Sequence, residues 1–157
     1  MNEKAIPSVY EWAGGLPALE RLSQVFYQRV AQDELLAPLF AQMDPAHPRI
    51  VAHFIAEVLG GPPLYSQERG GHHAMIKKHL DKHLTEAQRS RWMGLLLECA
   101  DEVALPGDPE FRSAFVAYIE WGTRLAVINS QLDTVPDVHA AMPKWGWGEP
   151  GGPYQGN

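Results

Sequence analysis

Four of the seven histidines lie in one short stretch, at positions 72, 73, 79 and 83. A neutral imidazole can bind a metal through one ring nitrogen while the other donates a hydrogen bond to a backbone carbonyl. His79 lies between a glycine- and proline-rich loop and a predicted helix start at Thr85. A short segment tethered in this way suits an axial ligand to a flat cofactor, although a solvated surface histidine fits the same pattern.

The same histidines could instead form a zinc site, because histidines four residues apart share one face of a helix. His79 and His83 have this spacing, but no cysteine or carboxylate completes the ligand set convincingly. His72 and His73 are expected to face the solvent. The residues alone therefore leave the axial ligand, the zinc site and the surface histidine open.

Other aromatic and polar residues lie where they could line a pocket. Tyr27 and Trp92 fall on the apolar faces of two predicted helices. They either pack in the core or direct a phenolic hydroxyl and an indole N–H at one polar ligand. Phe40 either stacks on a flat cofactor or fills the core. His47, just before Pro48 at a predicted helix start, either faces a ligand or stays in solvent.

Helical signals surround these residues along most of the chain. Capping boxes at Ser8 and Thr85, and Asp108 before Pro109, mark three helix starts. Residues 60–73 are predicted to form a long loop. Nothing alternates for long enough to make a strand, so the sequence predicts an all-α protein. Apolar residues recur at helical spacing within 19–30, 51–58, 92–103 and 111–126.

Composition and charge exclude several classes of protein. A chain of 157 residues is one domain by size and can bury a core without disulfides. The net charge of −6 argues against nucleic-acid binding, and the single cysteine, Cys99, excludes a disulfide framework and a multi-cysteine metal site. Neither a signal peptide nor an apolar run of about 18 residues is visible, so we expect a cytoplasmic protein without a membrane span.

In combination, these features resemble the truncated haemoglobins of group II, the O-type. The resemblance is carried by FYQRVAQDELLAPLF at 26–40, FIAEVLGGPPLY at 54–65, His79, and Trp92 after the capping box. It implies a truncated globin fold, two helices packed over two around a haem, with the proximal segment largely a loop. It also implies a globin domain over residues 1–132 and a C-terminal extension over 133–157.

The resemblance implies a role for each candidate residue. His79 becomes the proximal ligand of the iron in haem b. Tyr27, Trp92 and His47 become hydrogen-bond partners of a ligand on the distal side. The residues implied to contact the haem are Phe40, Val51, Phe54 and Met75 in the pocket, and Lys78 and Tyr65 at the propionates.

The chain departs from the group's pattern in the implied distal pocket. Phe40 stands where tyrosine is frequent, which removes one hydroxyl. His47 stands where the residue is usually small, so it could hydrogen-bond the ligand or bind the iron itself. Val51 replaces a residue that is often polar, which makes the pocket drier. One residue is also inserted near Gly70 and Gly71, before His79.

The resemblance implies binding of O2, NO, CO or peroxide. A preorganised donor in a dry pocket stabilises negative charge on bound O2, so we expect slow release. Slow release favours redox chemistry, either NO dioxygenation or peroxide-linked oxidation with a reductase partner, over bulk transport. One alternative is a gas sensor or ligand store that contacts a partner through an exposed aromatic tail containing Trp145, Trp147 and Tyr154. Another is a haem-free helical interaction protein.

Overall fold

Seven α-helices and one 3-10 helix form the regular structure of the described residues, which contain no strand. The computed structural model of the protein describes residues 5–135 and 141–148, with the backbone alone for His72 and His73. Among the helices described, none combines the length and apolar character that a membrane crossing requires. The helices are α1 Val9–Ala13, α2 Gly15–Val30, α3 His47–Val58, α4 Leu64–Arg69, α5 Gly71–His79, α6 Glu86–Glu102 and α7 Pro109–Ser130, with the 3-10 helix at Ala37–Phe40.

The predicted capping residues begin three of these helices. The hydroxyl of Ser8 accepts from Glu11 N–H at 3.0 Å, and Thr85 starts α6 with a reciprocal capping box. Asp108 accepts from Phe111 N–H at 2.9 Å at the start of α7. These side chains satisfy N–H groups that the first turn of a helix leaves without partners. Local residues therefore determine where α1, α6 and α7 begin.

Two pairs of long helices enclose the core. Helix α2 packs against α3 and α6, and α6 packs against α7. The facing sides are apolar, and Phe26, Leu96 and Phe115 are almost completely buried. The hydroxyl of Ser23 donates to the carbonyl of Pro48 at 2.6 Å, which ties the first turn of α3 to α2. This contact helps to fix the position of the residues at the N-terminal end of α3.

The region between α3 and the end of α5 is more helical than predicted. Residues 60–73, expected to form a long loop, contain all of α4 and the start of α5. His79 ends a helix of 9 residues, whereas the proximal segment was expected to be largely a loop. Glu57 accepts hydrogen bonds from the backbone and the hydroxyl of Ser66, so α3 holds α4 in place. The prediction was wrong because tertiary contacts, rather than local propensity, stabilise such short helices.

Part of the predicted C-terminal extension packs on the helices. The N–H of Trp145 donates to the carbonyl of Val58 at 2.8 Å, and Nε1–H of Trp147 donates to the carbonyl of Pro7 at 2.8 Å. Both tryptophans are half-buried, so the expectation that they are exposed is wrong. Tyr154 lies outside the described residues.

Candidate functional site

A cavity of about 650 Å³ is lined by residues from α2, α3, α5, α6 and α7. Pockets that hold cofactors and other small molecules typically enclose roughly 300–1,000 Å³. The cavity brings together all but one of the residues predicted to form the site: Tyr27, Phe40, His47, Val51, Phe54, Met75, Lys78, His79 and Trp92.

His79 reaches this cavity from the C-terminal end of α5 and is half-buried. Its Nδ1 lies 2.9 Å from the carbonyl oxygen of Met75, one helical turn earlier. Because a carbonyl oxygen can only accept, the neutral ring donates from Nδ1 and keeps its lone pair on Nε2. A histidine that ligates a metal through Nε2 has this tautomer.

The chain directly after His79 is held against the end of α7. The N–H of Asp81 donates to Leu132 O at 2.7 Å, and that of His83 donates to Ser130 O at 2.9 Å. Asp81 and His83 have positive φ angles of 59° and 49°, a left-handed conformation that costs free energy in residues with a Cβ atom. The two hydrogen bonds to α7 offset this cost and keep the turn after His79 in one shape.

The zinc interpretation finds no support in the described side chains. His83 is exposed, and its Nε2 lies 2.8 Å from Oδ1 of Asp81, whereas His79 lines the cavity. No group of three or more potential ligands is arranged to hold a metal ion in the part of the chain whose side chains are described. The side chains of His72 and His73 lie outside that part.

Tyr27 and Trp92 belong to one aromatic cluster on the wall of the cavity. The ring centroid of Phe26 lies 4.8 Å from that of Tyr27 and 4.9 Å from that of Trp92, both edge to face. Trp92 also lies close enough to Tyr27 to affect the pKa of the Tyr27 hydroxyl. An indole N–H can only donate, so Trp92 can present a donor to Tyr27 or to a ligand, and the Tyr27 hydroxyl can donate its own proton. Burial raises the pKa of Tyr27, although Trp92 acts in the opposite direction, and the hydroxyl stays protonated.

His47 joins this cluster from the first turn of α3. Its ring centroid lies 4.8 Å from that of Tyr27 and 5.8 Å from that of Phe40. Its Nε2 is buried without a hydrogen-bond partner among the described residues, which costs free energy unless a ligand supplies one. Burial lowers the pKa of His47 to about 4, and the charge of Lys78 acts in the same direction. The imidazole is therefore neutral at pH 7.

Tyr65 is the predicted site residue that the structure does not bring to the cavity. It is fully buried, and its ring packs edge to face on Phe54 at 4.9 Å between centroids. Its hydroxyl has no hydrogen-bond partner among the described residues. The direction of this side chain depends on α4, which lies in a segment predicted to be a loop.

The cavity is also lined by two cations, Lys82 and Arg89, that are not among the site residues predicted from the sequence. Arg89 is only 9% exposed, and its guanidinium pairs with Glu86 and Glu120. Its charge is therefore already balanced within the protein. Lys82 is exposed at the rim of the cavity. In the sequence, its position three residues after His79 could have indicated that it lies near the same cavity.

Comparison with known proteins identifies the family. The profile of the family described as bacterial-like globin matches residues 8–119. The chain belongs to the bacterial-like globins. The group 2 truncated hemoglobin YjbI of Bacillus subtilis (strain 168) is 35% identical to this globin over 120 residues, which cover 76% of the chain and 88% of the relative.

Solved structures agree with this assignment. The group II truncated hemoglobin from Bacillus anthracis superposes with a TM-score of 0.72 at 25% identity, over 79% of this globin and 93% of that chain. The truncated oxygen-avid haemoglobin from Bacillus subtilis gives a TM-score of 0.69 at 31% identity, over 77% and 99% of the two chains. These likenesses confirm the predicted truncated globin fold and its membership of group II.

As a globin, the chain binds haem and, at the haem, diatomic gases such as O2. The cavity of this globin fits a haem in three respects. Its volume is sufficient for a cofactor. The tautomer of His79 suits iron ligation. The buried Nε2 of His47 has no hydrogen-bond partner among the described residues and can interact with a polar ligand. Val51, Phe54 and Met75 add apolar surface around these groups.

Proposed function

We propose that this globin binds haem b through His79 and stabilises a diatomic ligand with Tyr27, Trp92 and His47. One observation carries the proposal. Tyr27, Trp92 and His47 line one mainly apolar cavity, and the ring of His47 lies 4.8 Å from that of Tyr27, so three polar side chains converge there. We further propose that the bound ligand takes part in redox chemistry, either NO dioxygenation or peroxide-linked oxidation, rather than bulk transport.

The proximal residues orient the imidazole. A haem supplies an iron that binds a diatomic gas or peroxide and exchanges electrons with it. The carbonyl of Met75 accepts from Nδ1 of His79, which fixes the ring orientation and makes Nε2 a better electron donor. The hydrogen bonds from Asp81 and His83 to the end of α7 hold the chain beyond the ring. Together they limit rotation of His79 about its side-chain bonds.

Tyr27 is the main donor to the ligand in this proposal, because its buried hydroxyl stays protonated. A hydrogen bond to an acceptor that carries charge contributes about 1.5–3 kcal/mol. We also propose that the indole N–H of Trp92 donates to Tyr27 and strengthens this bond by roughly 10–30%, because hydrogen bonds in series polarise one another. The ligand is therefore released slowly, which suits a reaction at the bound ligand better than delivery to another site.

His47 has two candidate roles that its buried Nε2 supports equally. It can transfer a proton to or from a bound peroxide as a general acid or base. It can also bind the iron itself and block the site. A ferric absorption spectrum that shows two histidine ligands, and loses this signature in His47→Ala, would support the blocking role. A spectrum unchanged by the substitution would support proton transfer.

Lys78 and Lys82 are our candidates for contacts with the haem propionates, because both are exposed cations that line the cavity. Exposed ion pairs contribute only about 0–1 kcal/mol each, so neither lysine should be essential for haem binding. Tyr65 does not line the cavity, and we leave its hydroxyl out of the proposed propionate contacts.

The first experiment compares absorption spectra of the ferric, ferrous and CO forms of the wild type, His79→Ala and His83→Ala. His83 is the matched control, because it is an exposed histidine on the same segment. We expect His79→Ala to lose the spectrum of a histidine-ligated haem and His83→Ala to keep it. If His79→Ala keeps that spectrum, His79 is not the ligand.

The second experiment measures NO and peroxide consumption with a reductase and a source of electrons present. Catalytic turnover supports the redox proposal, and stoichiometric reaction alone contradicts it. The sensor alternative relied on an exposed aromatic tail, but Trp145 and Trp147 are engaged by Val58 and Pro7. No observation among the described residues favours that alternative.

A further inference from the structure

Residues 141–148, which we name the strap, contact separate parts of the globin domain. At one end of the strap, the indole N–H of Trp147 donates to the carbonyl of Pro7 at 2.8 Å. The Trp147 ring also meets Trp12 of α1 edge to face, with 6.3 Å between centroids. The strap is therefore anchored to the N-terminal part of the chain.

The strap also completes the C-terminal end of α3. The last four carbonyls of a helix have no partner within the helix. In α3, three of them accept hydrogen bonds from residues 59–61, and the fourth, that of Val58, accepts from Trp145 N–H at 2.8 Å. The helix stabilised in this way carries His47, Val51 and Phe54 along the cavity.

The same tryptophan supports a different wall of the cavity. The ring centroid of Trp145 lies 5.9 Å from that of Tyr118 and 5.6 Å from that of Trp121, both on α7. Tyr118 and Trp121 line the cavity, and so does Pro143 of the strap itself. Trp145 thus lies behind two wall residues, and Pro143 contributes to the wall directly.

We propose that the strap is part of the haem-binding site and holds the haem in its cavity. This inference rests on the proposed haem binding of the globin. Pro143 closes one part of the wall, and Trp145 is a positioning residue that keeps Tyr118 and Trp121 against the bound haem. Aromatic pairs of this kind change an equilibrium by roughly two- to tenfold each beyond their buried area. Loss of both pairs should therefore be visible in haem affinity.

The test uses full-length Trp145→Ala, Trp145→Phe and, as a control, Lys144→Ala. Lys144 is an exposed strap residue that does not line the main cavity. Haem loss is followed by absorption during transfer to an excess of a colourless acceptor globin. We expect haem loss to be roughly tenfold faster in Trp145→Ala, close to the wild-type rate in Lys144→Ala, and largely restored in Trp145→Phe.

Melting temperatures of the apoprotein and the haem-bound protein separate this role from general stabilisation. The proposal expects Trp145→Ala to lower the melting temperature more in the haem-bound protein than in the apoprotein. Equal decreases, or haem loss within twofold of the wild type, would overturn it. If Trp145→Ala does not fold, Pro143→Gly provides the same comparison without removing either anchor. A wild type that takes up no haem would instead refute the proposed function.

Discussion

Replacing Tyr27 by phenylalanine removes one hydroxyl from the cavity and retains the ring that packs on Phe26 and Phe40. The lost hydrogen bond to a charged acceptor contributes about 1.5–3 kcal/mol. We therefore expect O2 to dissociate roughly 10- to 150-fold faster in Tyr27→Phe. Trp92→Phe removes only the proposed hydrogen bond from Trp92 to Tyr27. A loss of roughly 10–30% of the same free energy predicts that O2 dissociates less than about fivefold faster.

Stopped-flow replacement of O2 by CO measures these rates directly. The double variant Tyr27→Phe/Trp92→Phe should match Tyr27→Phe alone, because Trp92 acts on the ligand through Tyr27. Tyr65→Phe is the matched control, since it removes a tyrosine hydroxyl that does not line the cavity. The reasoning is refuted if Trp92→Phe accelerates release as much as Tyr27→Phe does, or if neither changes the rate.

Three other predictions concern stability. Tyr65→Phe removes a buried hydroxyl without a described partner, so the free energy of unfolding in urea should rise by about 1 kcal/mol, and a decrease would reveal an unseen partner. Burial lowers the pKa of His47 from 6.5 in the unfolded chain to about 4 in the folded protein. As pH falls, this histidine is therefore protonated in the unfolded chain before it is protonated in the folded protein. Apoprotein stability should therefore decrease from about pH 6.5 to 4, and His47→Leu should flatten that decrease in melts across this range. Arg89→Met removes the ion pairs with Glu86 and Glu120, whose carboxylates are exposed, and should lower the midpoint of urea unfolding slightly, whereas an unchanged midpoint would show that these ion pairs contribute nothing.

Local sequence was sufficient to predict the long helices. Ser8, Thr85 and Asp108 cap their helices through side-chain contacts three residues away, so these helix starts could be predicted without knowledge of the fold. The residues of the cavity were predicted from the family resemblance rather than from spacing. Spacing alone had left His79 and Trp92 each with more than one interpretation.

The remaining features depend on contacts between distant parts of the chain. Helix α4 is held by Glu57, and only its helical geometry turns Tyr65 towards Phe54 instead of the cavity. Tyr27 of α2 and Trp92 of α6 both pack on Phe26, and no local pattern indicates which of the two residues would donate to the ligand. Packing of Trp145 on α7 is likewise a long-range contact. Sequence patterns report on neighbours within a few positions and could not show these arrangements.

Ser130 illustrates how the parts of this fold depend on one another. Its carbonyl accepts from His83 N–H, and its fully buried hydroxyl accepts from Leu84 N–H at 2.9 Å while donating to Val127 O at 2.7 Å. The segment around His79 is consequently not an interchangeable module. A chimera that receives this segment from another globin will also need a matching hydroxyl at the end of its last helix, or the imported imidazole will settle at a different angle.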